Sequence, residues 1–85
     1  MPRYFFHIRD RELFVPDEEG SVFQDFDNAR SEALESAREL AVQVIASGEQ
    51  IDGQRLELTD EGGKILLAVP YRFVLAPEAR VAESP

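Results

Sequence analysis

Cysteine is absent from the 85 residues, and with it go disulfide stapling, thiolate nucleophiles and sulfur-ligated zinc. Histidine is almost absent. His7 stands alone, and Tyr4 and Tyr71 are the only tyrosines, so an acid–base mechanism would have few members to recruit. A lone histidine without a second group to orient it is not a catalytic arrangement, and no serine sits in a nucleophile elbow. An enzyme working through His7 is therefore a marginal reading; a structural or interface role is assigned to that residue, and no catalytic residue is expected.

Positive charge is scarce as well. Nine basic residues against seventeen acidic ones leave a formal net charge of -8, which raises the electrostatic cost of approaching a phosphate backbone or anionic lipid. Direct nucleic-acid binding is disfavoured and a basic protein partner would be attracted, although solubility alone accounts for such a charge. Long hydrophobic runs are missing too. The opening "MPRYFFHIRD" sets Arg3, Arg9 and Asp10 around a short apolar core, too short for a signal peptide and far too short to span a bilayer. A cytoplasmic location without membrane contact is the expectation.

What is present describes one small domain. A chain of this size buries only about 60 to 65% of the surface that its unfolded form exposes. With 44% hydrophobic residues it folds, but stability on the order of 5 kcal/mol and help from self-association are expected. The domain is placed at residues 1–75, and "APEARVAESP", with two prolines and no period, is read as a flexible tail over residues 76–85.

In "RYFFHIR", Tyr4, Phe6 and Ile8 alternate with Phe5, His7 and Arg9, the two-residue period of a strand. After Asp10-Arg11-Glu12 comes "LFVP", a second short strand ended by Pro16, since proline cannot donate to a ladder. The helix follows. Asp25 caps it, Phe26, Ala29, Ala33, Ala37, Leu40 and Val44 recur every three or four residues, and Leu34, Ala41 and Ile45 widen that stripe before Gly48. A second hairpin runs "RLELT", "DEGG", "KILLAVPY", and "RFVL" is read as an extension of its last strand.

The order strand, strand, helix, strand, strand predicts an α+β fold, ββαββ: a four-stranded sheet with one long helix packed on one face and a right-handed crossover. The continuous apolar run Ile65 to Val69 suggests cover on both faces. That reasoning puts the first and last strands in the middle, with "LFV" and "RLELT" at the edges.

The acid-rich "VPDEEG" and "DFDNA" fit no calcium loop. Counting from Asp25, Ala29, Arg30 and Ser36 occupy later ligand or turn positions; counting from Asp17, glycine falls fourth. Pro16 and Gly20 are read instead as a bend, with the acids solvated and Asp25 and Asp27 complementing the helix dipole. "DEGGK" joins two strands and does not open onto a helix, so it is a hairpin turn, not a phosphate loop. No metal and no cofactor are expected.

If Tyr4, Phe6 and Ile8 face the helix, then Phe5 and His7, with Leu66 and Ala68, lie on the opposite face of the sheet. Exposed apolar side chains on so small a domain mark an interaction surface. These four residues are the candidate interface, with a second copy of the chain as the favoured occupant and a cover formed by "RFVL" as the alternative.

The combination "MPRYFFHIRD", "PDEEG", an alanine-bearing helix and "LTDEGGKILLAVP" resembles a family of short bacterial proteins known only as a domain of unknown function. The resemblance spans roughly Met1 to Tyr71 and implies no activity, cofactor or catalytic residue. Members often carry glycine just after the first strand, where this chain has Arg11. A fainter likeness, over about Val15 to Ile51, is to HicB-like antitoxins, in which a hairpin ending in Val-Pro-Asp leads to an alanine-rich helix. That likeness implies an acidic inhibitor of a small basic ribonuclease, here without the DNA-binding segment that such antitoxins often append. The expected function is a non-catalytic, self-associating protein-interaction module, with the antitoxin-like inhibitor as the alternative.

Overall fold

A computed structural model describes residues 1–75. The expected tail, 76–85, lies outside the described residues. The elements are β1 (Arg3–Asp10), β2 (Leu13–Val15), β3 (Ser21–Val22), α1 (Phe26–Ala46), β4 (Arg55–Thr59), β5 (Ile65–Pro70) and a single turn α2 (Tyr71–Val74). The fold is α+β, one antiparallel sheet with one long helix on one face. β2, β1, β4 and β5 lie side by side in that order, and the two-residue β3 adds to β1 at its start. β3 and β4 flank β1 and are both antiparallel to it, so they run parallel to each other and α1 crosses between them.

α1 forms where the periodicity places it. Asp25 adopts an extended conformation and its carboxylate accepts the Asn28 N–H at 2.9 Å, meeting one of the donors that a helix start leaves unpaired. Ala29, Ala33, Ala37 and Ala41, one per four residues, are fully buried against Tyr4, Leu56, Leu58 and Val69. Methyl-sized side chains let the helix lie close on the sheet, while half-buried Phe26, Leu34, Leu40 and Val44 fill the flanks. Ile45, expected in the stripe, is 53% exposed; it lies past the edge of the sheet-facing arc, which is only about 100° wide. Gly48, at φ 86°, ends the helix in a backbone conformation that costs other residues energy.

Two strand assignments differ from the sequence reading. "RLELT" is central and "ILLAVP" forms the edge. β4 alternates apolar and polar residues, yet Leu56, Glu57, Leu58 and Thr59 are all buried, because the polar members are covered by His7 and Arg9 of β1 and by Arg55. The uninterrupted apolar run of β5 suggested two covered faces, yet Ile65 is 52% exposed. "RFVL" does not extend β5. Pro70 ends the strand, the Tyr71 N–H closes on the Gln54 carbonyl at 3.0 Å, and the chain turns into α2, which packs on α1 and the end of β5. Tyr71 is thereby buried, and burial together with the nearby Asp10 carboxylate pushes its hydroxyl above the ordinary 10.0.

The register fixes the two faces. Phe6 opposes Leu58 and Ile8 opposes Leu56 beneath α1, whereas Phe5 opposes Thr59, His7 opposes Glu57 and Arg9 opposes Arg55 on the other side. Ala68 stands opposite Glu57. No helix among the described residues is long and apolar enough to cross a membrane.

Candidate functional site

The sheet face away from α1 carries the chemistry. Its centre is Glu57, whose side chain is 5% exposed and whose Oε2 accepts from Arg9 Nε at 3.1 Å and from Arg55 Nε at 3.0 Å. An isolated carboxylate at that depth is strongly disfavoured; two guanidinium groups converging on one oxygen offset the lost hydration. Arg9 is also held from behind, its guanidinium carbon 4.4 Å from the centroid of Phe14, a cation–π contact. Phe14 reaches it because β2 pairs Phe14 directly with Arg9. Each arginine uses its Nε–H on Glu57, and among the described residues its terminal N–H groups make no further hydrogen bond.

His7 occupies the next row. The Asp17 backbone N–H donates to Nδ1 at 2.9 Å, and Nε2 lies 3.2 Å from Thr59 Oγ1. A backbone amide is only a donor, so Nδ1 is unprotonated in this arrangement and Nε2 carries the hydrogen toward Thr59. The imidazole stacks on Phe5 at 6.2 Å between centroids, 6° from parallel, and meets Phe14 at 5.4 Å. Both ring nitrogens are thus engaged in holding a loop and a strand.

The "PDEEG" loop proves to be more than a hinge. β2 covers residues 8 to 10 of β1 and β3 covers residues 3 and 4, which leaves the Phe6 N–H without a strand partner on that edge. Asp17 supplies the missing acceptor: Oδ2 takes the Phe6 N–H at 3.1 Å and Oδ1 takes the Gly20 N–H at 3.1 Å. Asp17 is therefore half-buried and not solvated as expected, while Glu18 and Glu19 are exposed. Gly20 is at φ 70°, and a Cβ there would lie 2.7 Å from Phe5 Cε2 and 2.8 Å from the Tyr4 carbonyl oxygen. The spacing Pro, Asp, Gly is a device for closing a gap in a sheet edge.

Of the four residues read from the sequence as an interface, Phe5, His7 and Ala68 share this face. Phe5 and His7 are half-buried and Ala68 is exposed. Leu66 does not join them freely. The ladder slips by one residue between the pairs at Leu58 and Thr59, and Leu66 packs against the core instead. Nor does "RFVL" cover the face, since α2 lies against α1. Arg9, Phe14, Arg55 and Glu57 went unnoticed in the sequence; the signal was the cross-strand pairing of two arginines around a glutamate, which is legible only once the register is known.

The chain belongs to the DUF6894 family, a domain of unknown function. The family model matches residues 3–72, from the first residue of β1 to α2, so the DUF6894 unit includes the whole sheet and the long helix. No curated protein and no solved structure matches the chain.

Proposed function

We propose that this DUF6894 chain is a non-catalytic protein-interaction module that self-associates through the open face of its sheet. The observation that carries the reading is that α1 and α2 lie on one side of the sheet, while the other presents two oriented guanidinium groups, Phe14 and Ala68. Arginine and aromatic side chains held rigidly are the groups that dominate protein interfaces. A catalytic role is disfavoured by the same geometry, for both nitrogens of the one histidine are committed to structural hydrogen bonds.

Light scattering at high micromolar concentration tests this. The parent chain is expected to be a dimer, Ala68→Arg a folded monomer, and Val42→Arg, on the exposed back of α1, a dimer like the parent. A monomeric parent would remove self-association and shift weight to the second reading, an inhibitor of a small basic ribonuclease, which the net charge of -8 favours.

A further inference from the structure

The open face has two unlike ends. At one, Arg9 and Arg55 stand opposite each other across β1 and β4, and Asp10, next in β1, lines a hollow on the helix side together with Ile8 and Leu40. At the other, Phe5, His7 and Thr59 border a shallow hollow of about 220 Å³ whose rim holds Asp17, Asp60 and Glu61. Asp17 spends both carboxylate oxygens on backbone N–H groups, and Asp60 holds the Gly62 and Lys64 N–H groups through Oδ1. Glu61 is exposed and makes no ion pair among the described residues. Arg3, which donates to the Glu19 carbonyl, and Lys64, in the same turn as Glu61, place positive charge near that end too, but Asp17, Asp60 and Glu61 outnumber them. The face is therefore cationic at one end of its strands and net anionic at the other, with His7 and Glu57 between them.

Two identical faces close into a dimer only about a two-fold axis, under which residue i meets j and j meets i. If that axis ran along the strands, guanidinium would meet guanidinium and carboxylate would meet carboxylate. If it runs across the strands, each cationic end meets the anionic end of the other copy. Resting on the self-association reading above, we infer that two copies dock face to face about an axis perpendicular to the strands, Arg9 and Arg55 of each receiving the Glu61 carboxylate of the other. The terminal N–H groups that Glu57 leaves unused form the fork that suits a carboxylate. Glu57 thus acts as the positioning residue for the pair, fixing two arginines that would otherwise move independently.

The test uses charge and distance together. Glu61→Arg is expected to raise the dimer dissociation constant roughly tenfold or more, as loss of a close charge pair does, and Arg55→Gln to weaken it in the same direction. Glu61→Gln should fall between Glu61→Arg and the parent. Because the chain has no cysteine, Gly62→Cys carries a single nitroxide label; a Cβ there meets only Asp60 Oδ1 at 3.5 Å. Pairing Arg55 of one copy with Glu61 of the other puts the axis midway between them, near Leu58. The turn tip then lies about four residue rises away, so dipolar spectroscopy should report labels about 25 Å apart across the dimer. A dimer indifferent to Glu61→Arg, with labels within roughly 15 Å, the reach of side chains from adjacent turns, would overturn this arrangement and leave self-association standing. A parent chain that is monomeric at high micromolar concentration would overturn both.

Discussion

Gly20→Ala is the substitution that the geometry singles out. Three costs coincide at this position. An L-residue at φ 70° loses about 1 to 2 kcal/mol to its own backbone. The new methyl would sit 2.8 Å from the Tyr4 carbonyl oxygen, a main-chain atom in β1 that cannot swing aside as a side chain would. Relief of that contact moves the loop and stretches the Gly20 N–H bond to Asp17 Oδ1, itself worth about 1 kcal/mol. Together these come to about 3 kcal/mol, most of the stability that a domain of this size has to lose. Gly48→Ala is the control: Gly48 has φ 86° but nothing within 4 Å of a Cβ, so only the backbone cost of about 1 kcal/mol applies. In urea unfolding, with a slope near 1 kcal/mol per molar for so small a chain, the two midpoints should fall by about 3 M and about 1 M respectively. Equal shifts would show that the Tyr4 contact and the Asp17 bond contribute nothing, and the account of the loop as an edge filler would have to be abandoned.

Three further outcomes are expected. Glu57→Gln should cost about 2 kcal/mol, less than the 3 to 5 of a fully buried pair because both arginines keep solvent contact, and Arg55→Gln should cost about half as much since Arg9 still neutralises the carboxylate; thermal denaturation showing the reverse order would refute the central role of Glu57. Arg11, the first loop residue between β1 and β2, has φ 59°, so Arg11→Gly should stabilise the domain by about 0.5 to 1 kcal/mol, a gain that chemical denaturation reads directly. Tyr71, raised above 10.0 by burial and by Asp10, ionises first in the unfolded chain, so its contribution to stability is complete below pH 10 and is lost as pH rises through the folded value; Tyr71→Phe should flatten that alkaline decline, and an unchanged pH profile would show that the hydroxyl is not buried.

Periodicity made the helix legible because a stripe of alanines every fourth residue has one stable use, close packing on a sheet, and Asp25 and Gly48 marked its ends by local backbone chemistry alone. The two faces of β1 were legible for the same reason: alternation is a property of the strand itself. Strand order was not. β4 alternates apolar and polar residues and yet sits in the middle, since Glu57 and Thr59 are buried beneath neighbouring Arg55 and beneath Arg9 and His7, the last two 48 and 52 residues away in the chain. Burial of a polar group is decided by whether a distant side chain can satisfy it, which composition does not reveal. Asp17 teaches the same lesson at shorter range. As a residue it reads as one more solvated acid in a bend; only the gap between β2 and β3 along β1 makes its carboxylate an acceptor for Phe6. The sequence by itself thus determined the long helix, four of the five strands and their alternation, because these depend on neighbours a few residues apart, whereas the two-residue β3 and the turn α2 exist only through what they pack on. The tertiary structure alone decided which strand is central, which acids are buried and where two arginines meet, because those follow from pairings that local sequence does not encode.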